Sequence, residues 1–362
     1  MAPGAESEPA SPRLSAASAA AAAVRVGEPR FVNGRLHWVE TPAGAGGEAR
    51  LVSCAPGESP RRESAVGVSV RSRLYDYGAG SWCWTPLGAV VVESRTQLPL
   101  LVSPEQSVSL GGATPELAAR IGDLEGIAGS TWLIAVFEAT APSASPRGLV
   151  AIDAATGVWV SLLAGDALFA EPVVSHDGMT VAWITWPLGS MPWDDAEVWV
   201  ASLDLAGNRP ALARPRRVDG GPGSSAGQPT WLPDGSLAYV TEAAGYWQPW
   251  IRDPGGVVRR LSDCRCEFQR PRWTTCRWLA PMTEGALACG FIDGGVEHVG
   301  ALDVDGAMRV LDQPCVRVDG IASAGDLVGI VGATPTAQGV AVVAHHGRAS
   351  AGAESVVLAR TS

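Results

Sequence analysis

Apolar stretches along this chain are short, and each is broken by a turn-forming pair. Four of them run into an aspartate and then into glycine: GLVAID ending at Asp153, VWVASLD at Asp204, PWIRD at Asp253 and HVGALD at Asp303. The spacings between these aspartates are 51, 49 and 50 residues. Apolar and β-branched residues ahead of an aspartate predict a strand, and Asp with a nearby Gly supplies hairpin chemistry. Fainter copies extend the series, with Cys54, Ser103 and His345 at the equivalent points, which makes seven marks.

A second marker is interleaved with the first. EPVVSHDGMTVAWIT (Glu171 to Thr185) and QPTWLPDGSLAYVT (Gln228 to Thr241) share a proline, an Asp-Gly five residues later and then an apolar run. PRWTTCRWLAPMTEGALACGF (Pro271 to Phe291) repeats the arrangement with an altered turn. Each repeat therefore reads as strand, Asp-Gly turn, strand, variable loop, strand, hairpin and closing strand. Four short strands per period of about fifty residues predict a β-propeller blade. The expectation is an all-β, seven-bladed propeller of four-stranded antiparallel blades over residues 24–362, after a flexible or helical leader over 1–23. Trp183, Trp199, Trp231, Trp250 and Trp273 fall in strand-like runs and are expected to fill the wedges between blades.

Composition agrees with a turn-rich folded chain. Glycine numbers 43 and proline 27 of 362 residues, and charged residues make up 18%, below the usual quarter. All 27 basic residues are arginine, which excludes a phosphate-loop lysine, Schiff-base chemistry and Ser-x-x-Lys nucleophiles. A net charge of −10 without basic runs argues against nucleic acid as a partner. No apolar stretch is long enough to span a membrane as a helix. Seven cysteines without framework spacing suggest reduced thiols and a cytoplasmic location. Cys264, Cys266, Cys276, Cys289 and His298 match no zinc-module spacing, so buried strand thiols and no metal or other cofactor are expected.

The stretch Glu171 to Asp204, and above all its Met191–Asp194 loop reading MPWD, resembles the propeller of bacterial prolyl oligopeptidase-type serine peptidases, the dipeptidyl- and acylaminoacyl-peptidase branch. QPTWLPDG (Gln228 to Gly235), GYWQPW (Gly245 to Trp250), VRSRLYDYGAG (Val70 to Gly80) and the opening VRVGEPRFVNGRLHWVE (Val24 to Glu40) support it. Two turns depart: Ser175-His176-Asp177-Gly178 stands where the family usually reads Ser-Pro-Asp-Gly, and Tyr77-Gly78-Ala79-Gly80 where Tyr-Gly-Gly is common. The resemblance implies a propeller that covers an active site and restricts it to peptides, followed by an α/β-hydrolase domain that carries the triad. The sequence stops at Ser362 after the seventh mark, so the expectation is a truncated or split propeller without that domain.

Catalysis within the chain itself has little support. Gly223-Ser224-Ser225-Ala226-Gly227 fits G-x-S-x-G, yet a nucleophile elbow joins a buried strand to a helix, and this one is flanked by a loop and a blade strand. His37, His176, His298, His345 and His346 belong to no triad order or H-E-x-x-H helix. Three readings follow: a non-catalytic propeller working with a separate hydrolase domain or subunit, a stand-alone interaction or ligand-binding module, and, least supported, intrinsic hydrolysis. Under the first, Trp186, Met191, Pro192, Trp193, Asp194 and Asp195 are the expected surface for a hydrolase domain or a peptide, with the two aspartates able to receive an amino terminus. The plainer alternative is a loop that only caps its blade.

Overall fold

The computed structural model describes residues 15, 24–111, 119–140, 146–205, 209–273, 277–345 and 355–361. Seven four-stranded antiparallel sheets follow one another, each made of four strands consecutive in sequence. Blade 1 holds β1 (Arg25–Val32), β2 (Arg35–Thr41), β3 (Arg50–Cys54) and β4 (Arg61–Arg62). Blade 2 holds β5 (Trp82–Thr85) to β8 (Ser107–Ser109), blade 3 β9 (Ala119–Gly126) to β12 (Trp159–Gly165), and blade 4 β13 (Leu168–Val174) to β16 (Ala211–Gly220). Blade 5 runs from β17 (Ala226–Trp231) to β20 (Val258–Arg260), blade 6 from β21 (Leu279–Pro281) to β24 (Met308–Val310), and blade 7 from β25 (Arg317–Ala324) to β28 (Val356–Thr361).

The seven sequence marks all fall at the end of a blade's third strand or in the hairpin after it. Turn chemistry explains why aspartate recurs there. In blade 3, Asp153 Oδ1 accepts the Ala155 N–H at 3.1 Å and Oδ2 accepts the Thr156 hydroxyl at 2.6 Å, closing the hairpin. Between the first two strands of blade 4, Asp177 accepts from Ser175 Oγ at 2.6 Å and from Met179 N at 2.9 Å, and Gly178 takes the positive φ that the turn demands.

Second strands are apolar without alternation because both faces are covered by neighbouring blades. In β14 (Thr180–Trp186) and β18 (Leu237–Thr241) nearly every side chain is buried. Trp183 and Trp199 stack across adjacent strands at 6.4 Å, and Trp231 of blade 5 donates its indole N–H to the Val173 carbonyl of blade 4 at 3.2 Å. Trp250 sits in β19 (Gln248–Arg252) against the same core. Trp273 departs from expectation: it lies in the linker between blades 5 and 6 and not in a strand.

Among the described residues the ring closes by packing and side-chain hydrogen bonds. Blade 1 uses only the first four described strands and blade 7 only the last four, so among the described residues no strand is exchanged. The seam is one apolar cluster of Val26, Leu36 and Trp38 with Ala322, Val331, Ala341 and Val343. It is framed by Thr361 Oγ1 donating to Glu40 Oε2 at 2.7 Å and Val24 N donating to Gln338 Oε1 at 3.2 Å. The expected helical leader lies outside the described residues except for Ser15, which is exposed. No helix among the described residues is long and apolar enough to cross a membrane.

Candidate functional site

The loop singled out by sequence joins β14 to β15 (Glu197–Asp204) in blade 4 and contains one helical turn, α1 (Pro192–Asp195). Its residues divide into two groups. Trp186 is buried beneath the loop, Pro192 is buried, and Asp195 is tied down, accepting from the Ser190 hydroxyl and from Gly223 N at 3.0 Å. Those two bonds hold the Asp195 carboxyl below its ordinary pKa. Met191 and Asp194 are exposed and Trp193 is half-buried, so these three remain presented on the surface beside exposed Leu188.

Ser225 belongs to this same scaffold. It is fully buried in the linker from blade 4 to blade 5, and its hydroxyl donates to the Pro192 carbonyl at 2.5 Å. No strand-to-helix elbow surrounds it, so the G-x-S-x-G match is a clamp between a loop and a linker.

Sequence reasoning missed a ring of polar residues on the axis. First strands of six blades converge on one cavity of about 290 Å³. In that inner layer Glu28, Asp123, Glu171 and Gln228 all have φ near +50°, at irregularities where the first strand shifts register against the second. Each side chain reaches an adjacent blade. Glu28 accepts from Ser81 N at 2.6 Å, Asp123 from Gly80 N at 2.7 Å and Glu171 N at 3.0 Å, Glu171 from Gln228 N at 2.9 Å, and Gln228 from Trp278 N at 2.8 Å. At Glu171 and Gln228 the bulge frees a backbone N–H that a side chain of the preceding blade satisfies, and together with the linker N–H groups of Gly80, Ser81 and Trp278 these bonds clasp blades 1 through 6. A signal was present: an acceptor residue precedes proline in Glu28-Pro29, Glu171-Pro172 and Gln228-Pro229.

Charges concentrate around the same axis. Arg30 and Arg277 both reach Glu125, at 2.6 and 3.3 Å. Burial alone would raise the Glu125 carboxyl, but the two guanidiniums hold it below its ordinary value. Glu28 goes the other way: burial outweighs its bonds to Ser81 and lifts it from 4.5 to about 7.

Above this layer the axis opens into a cavity of about 870 Å³. Its wall comes from the start of β1, the β2–β3 loop of blade 1, the linker into blade 2, the linker into blade 6 and the start of blade 7. Tyr77 stands at its edge and packs on Trp273 at 4.7 Å, and Trp273 meets Trp186 edge-on at 6.1 Å. An aromatic row thus links the blade 4 loop to the rim of the axial cavity.

Burial disfavours the thiolate at most of the described cysteines. Cys83, Cys266 and Cys315 are pushed up to about 12 by burial, and Cys289 higher still. Cys276 and His346 lie outside the described residues, and among the described residues no group of three His, Cys, Asp or Glu could hold a metal. His298 stacks on Phe291 at 5.3 Å, and His37 is buried with its pKa lowered by burial. His176 lies in the Asp177 turn, at the wall of the smaller axial cavity.

No protein-family model matches the sequence, and no curated protein matches it. Solved structures do. A Mycobacterium tuberculosis puromycin-hydrolyzing peptidase superposes over 94% of this chain with a TM-score of 0.81 and 23% identity. Prolyl oligopeptidase B from Galerina marginata covers 95% with a TM-score of 0.65 and 9% identity. An oligogalacturonate lyase in complex with manganese covers 90% with a TM-score of 0.64 and 13% identity. This chain spans only 54% and 52% of the two peptidases, but 91% of the lyase. The resemblance read from the sequence therefore stands at the level of architecture: the chain has the seven-bladed fold of about half of a prolyl oligopeptidase-like peptidase.

Proposed function

We propose that the chain acts as the non-catalytic, substrate-gating propeller of a prolyl oligopeptidase-like serine peptidase, paired with a separate α/β-hydrolase domain or subunit. The observation that carries this reading is the coverage: nearly all of this chain superposes on about half of two peptidases. The site residues fit it. Met191, Trp193 and Asp194 form the face turned toward the hydrolase or a peptide, while Trp186, Pro192 and Asp195 hold that face in place. A cytoplasmic location suits the free thiols of Cys54, Cys83, Cys264, Cys266, Cys289 and Cys315.

The test is co-expression with any α/β-hydrolase found encoded beside this gene, followed by assay of aminoacyl and acylaminoacyl chromogenic substrates. A stable pair whose turnover neither part shows alone supports the proposal. Turnover by this chain alone that disappears in Ser225→Ala overturns it, and so does the lack of any hydrolase neighbour that binds.

A second reading, a stand-alone binding module, is favoured by one observation. The lyase is a whole chain of almost this extent, so the fold serves without an added domain.

A further inference from the structure

The 870 Å³ axial cavity is lined by five arginines, Arg25, Arg30, Arg71, Arg272 and Arg277, in a protein whose net charge is −10. Two carboxylates, Glu28 and Asp319, line the cavity with them, and Glu125 behind the wall pairs with Arg30 and Arg277. Asp319 is already surrounded by cations, with Arg317 at 2.9 Å, Arg270 at 3.6 Å and Arg272 at 3.7 Å. Arg30 and Arg277 share Glu125, whereas the Arg25 and Arg71 side chains make no hydrogen bond or ion pair among the described residues. Arg272 lies 3.7 Å from Asp319 and also acts on the Glu297 carboxyl. Guanidiniums of like charge gathered at one mouth repel one another, and Arg25 and Arg71, both exposed, have no ion-pair partner among the described residues to offset that repulsion.

From this geometry we infer that the axial cavity is a binding site for short acidic peptides, with Arg71 and Arg272 taking ligand carboxylates. The volume lies within the roughly 300–1,000 Å³ of small-ligand sites, which suits a peptide of a few residues. Tyr77, mostly exposed at the rim, supplies an apolar face for the ligand backbone. Arginine forks bind carboxylates in bidentate fashion, so the site selects by side-chain charge and not by length alone. The inference goes beyond the peptidase reading, because it requires no hydrolase and is read on the propeller alone.

The experiment is calorimetric titration of the purified chain with triglutamate, triglutamine and trilysine. Triglutamate is expected to bind, to weaken as salt rises from about 0.05 M to about 0.5 M, and to weaken about tenfold in Arg71→Gln and in Arg272→Gln. Arg71 is exposed and unbonded through its side chain, so Arg71→Gln keeps the fold, which a thermal melt verifies. Triglutamine and trilysine are expected not to bind. The inference is overturned if triglutamate does not bind, if the Arg71→Gln/Arg272→Gln double variant binds it as well as the parent, or if trilysine binds equally. None of these outcomes bears on whether a hydrolase pairs with the chain.

Discussion

Gln228 offers the sharpest test of how the ring is held together. Its backbone N–H donates to Glu171, its Oε1 accepts from Trp278 N at 2.8 Å, and its Nε2 donates to the Phe268 carbonyl at 3.0 Å. The residue is buried and sits at φ +54°. Gln228→Ala keeps the backbone donor but strands the Trp278 N–H and removes a donor from the Phe268 carbonyl. A buried polar group left unsatisfied costs about 1–3 kcal/mol, so the alanine variant should lose about 3 kcal/mol. Gln228→Gly strands the same groups but relieves the left-handed backbone, which costs a residue with a Cβ about 1 kcal/mol. Glycine should therefore fall about 1 kcal/mol short of the alanine loss and still lie below the parent. With an unfolding entropy of about 2.1 cal/mol/K per residue, the alanine melt should drop by about 4 °C and the glycine melt by about 3 °C. Scanning calorimetry of the three proteins decides. A glycine variant as stable as the parent, or more so, would refute the reasoning, because the side-chain clasp would then add nothing against backbone strain.

Three further outcomes follow from the same structure. Ser225→Ala should lower stability by about 1 kcal/mol through the stranded Pro192 carbonyl, and should leave any residual ester hydrolysis unchanged; a denaturant melt and a chromogenic assay read the two effects. Glu28, raised from 4.5 to about 7, should make the fold lose stability as pH rises across that window, because the unfolded carboxyl ionises first. The loss is at most about 3 kcal/mol, and Glu28→Gln should flatten the pH profile of the melting temperature; an unchanged slope would count against the burial of that carboxyl. Gly148→Ala should fail to give a folded blade 3, since an added Cβ would lie 1.8 Å from the Leu163 carbonyl oxygen, and circular dichroism of the expressed protein checks this.

The blades were legible in the sequence because each is built from contacts between neighbours in the chain. Hairpins at Asp153, Asp204, Asp253 and Asp303 need an acceptor side chain and a glycine within a few residues, so turn chemistry repeats at the blade period. Apolar second strands such as Leu237–Thr241 were readable for the same reason: coverage on both faces removes alternation. The blade 4 loop was visible as an interruption, and its split between anchoring and exposed residues was not. Asp195 and Ser225 find their partners 28 and 33 residues away.

Sequence by itself thus determined the architecture, the number of blades and the unlikeness of the Ser225 motif to a nucleophile elbow. Tertiary structure alone decided three things: that the described strands close the ring without exchange between its ends, that Glu28, Asp123, Glu171 and Gln228 clasp neighbouring blades, and that Arg25, Arg71, Arg272 and Arg277 share one cavity. The physical reason is closure around an axis. A ring brings together positions from different blades, and residues that meet there are separated in sequence by whole blades, up to the span from Arg25 to Gly320. No local pattern records such a meeting, because local pattern reflects only what a residue needs from its near neighbours in the chain.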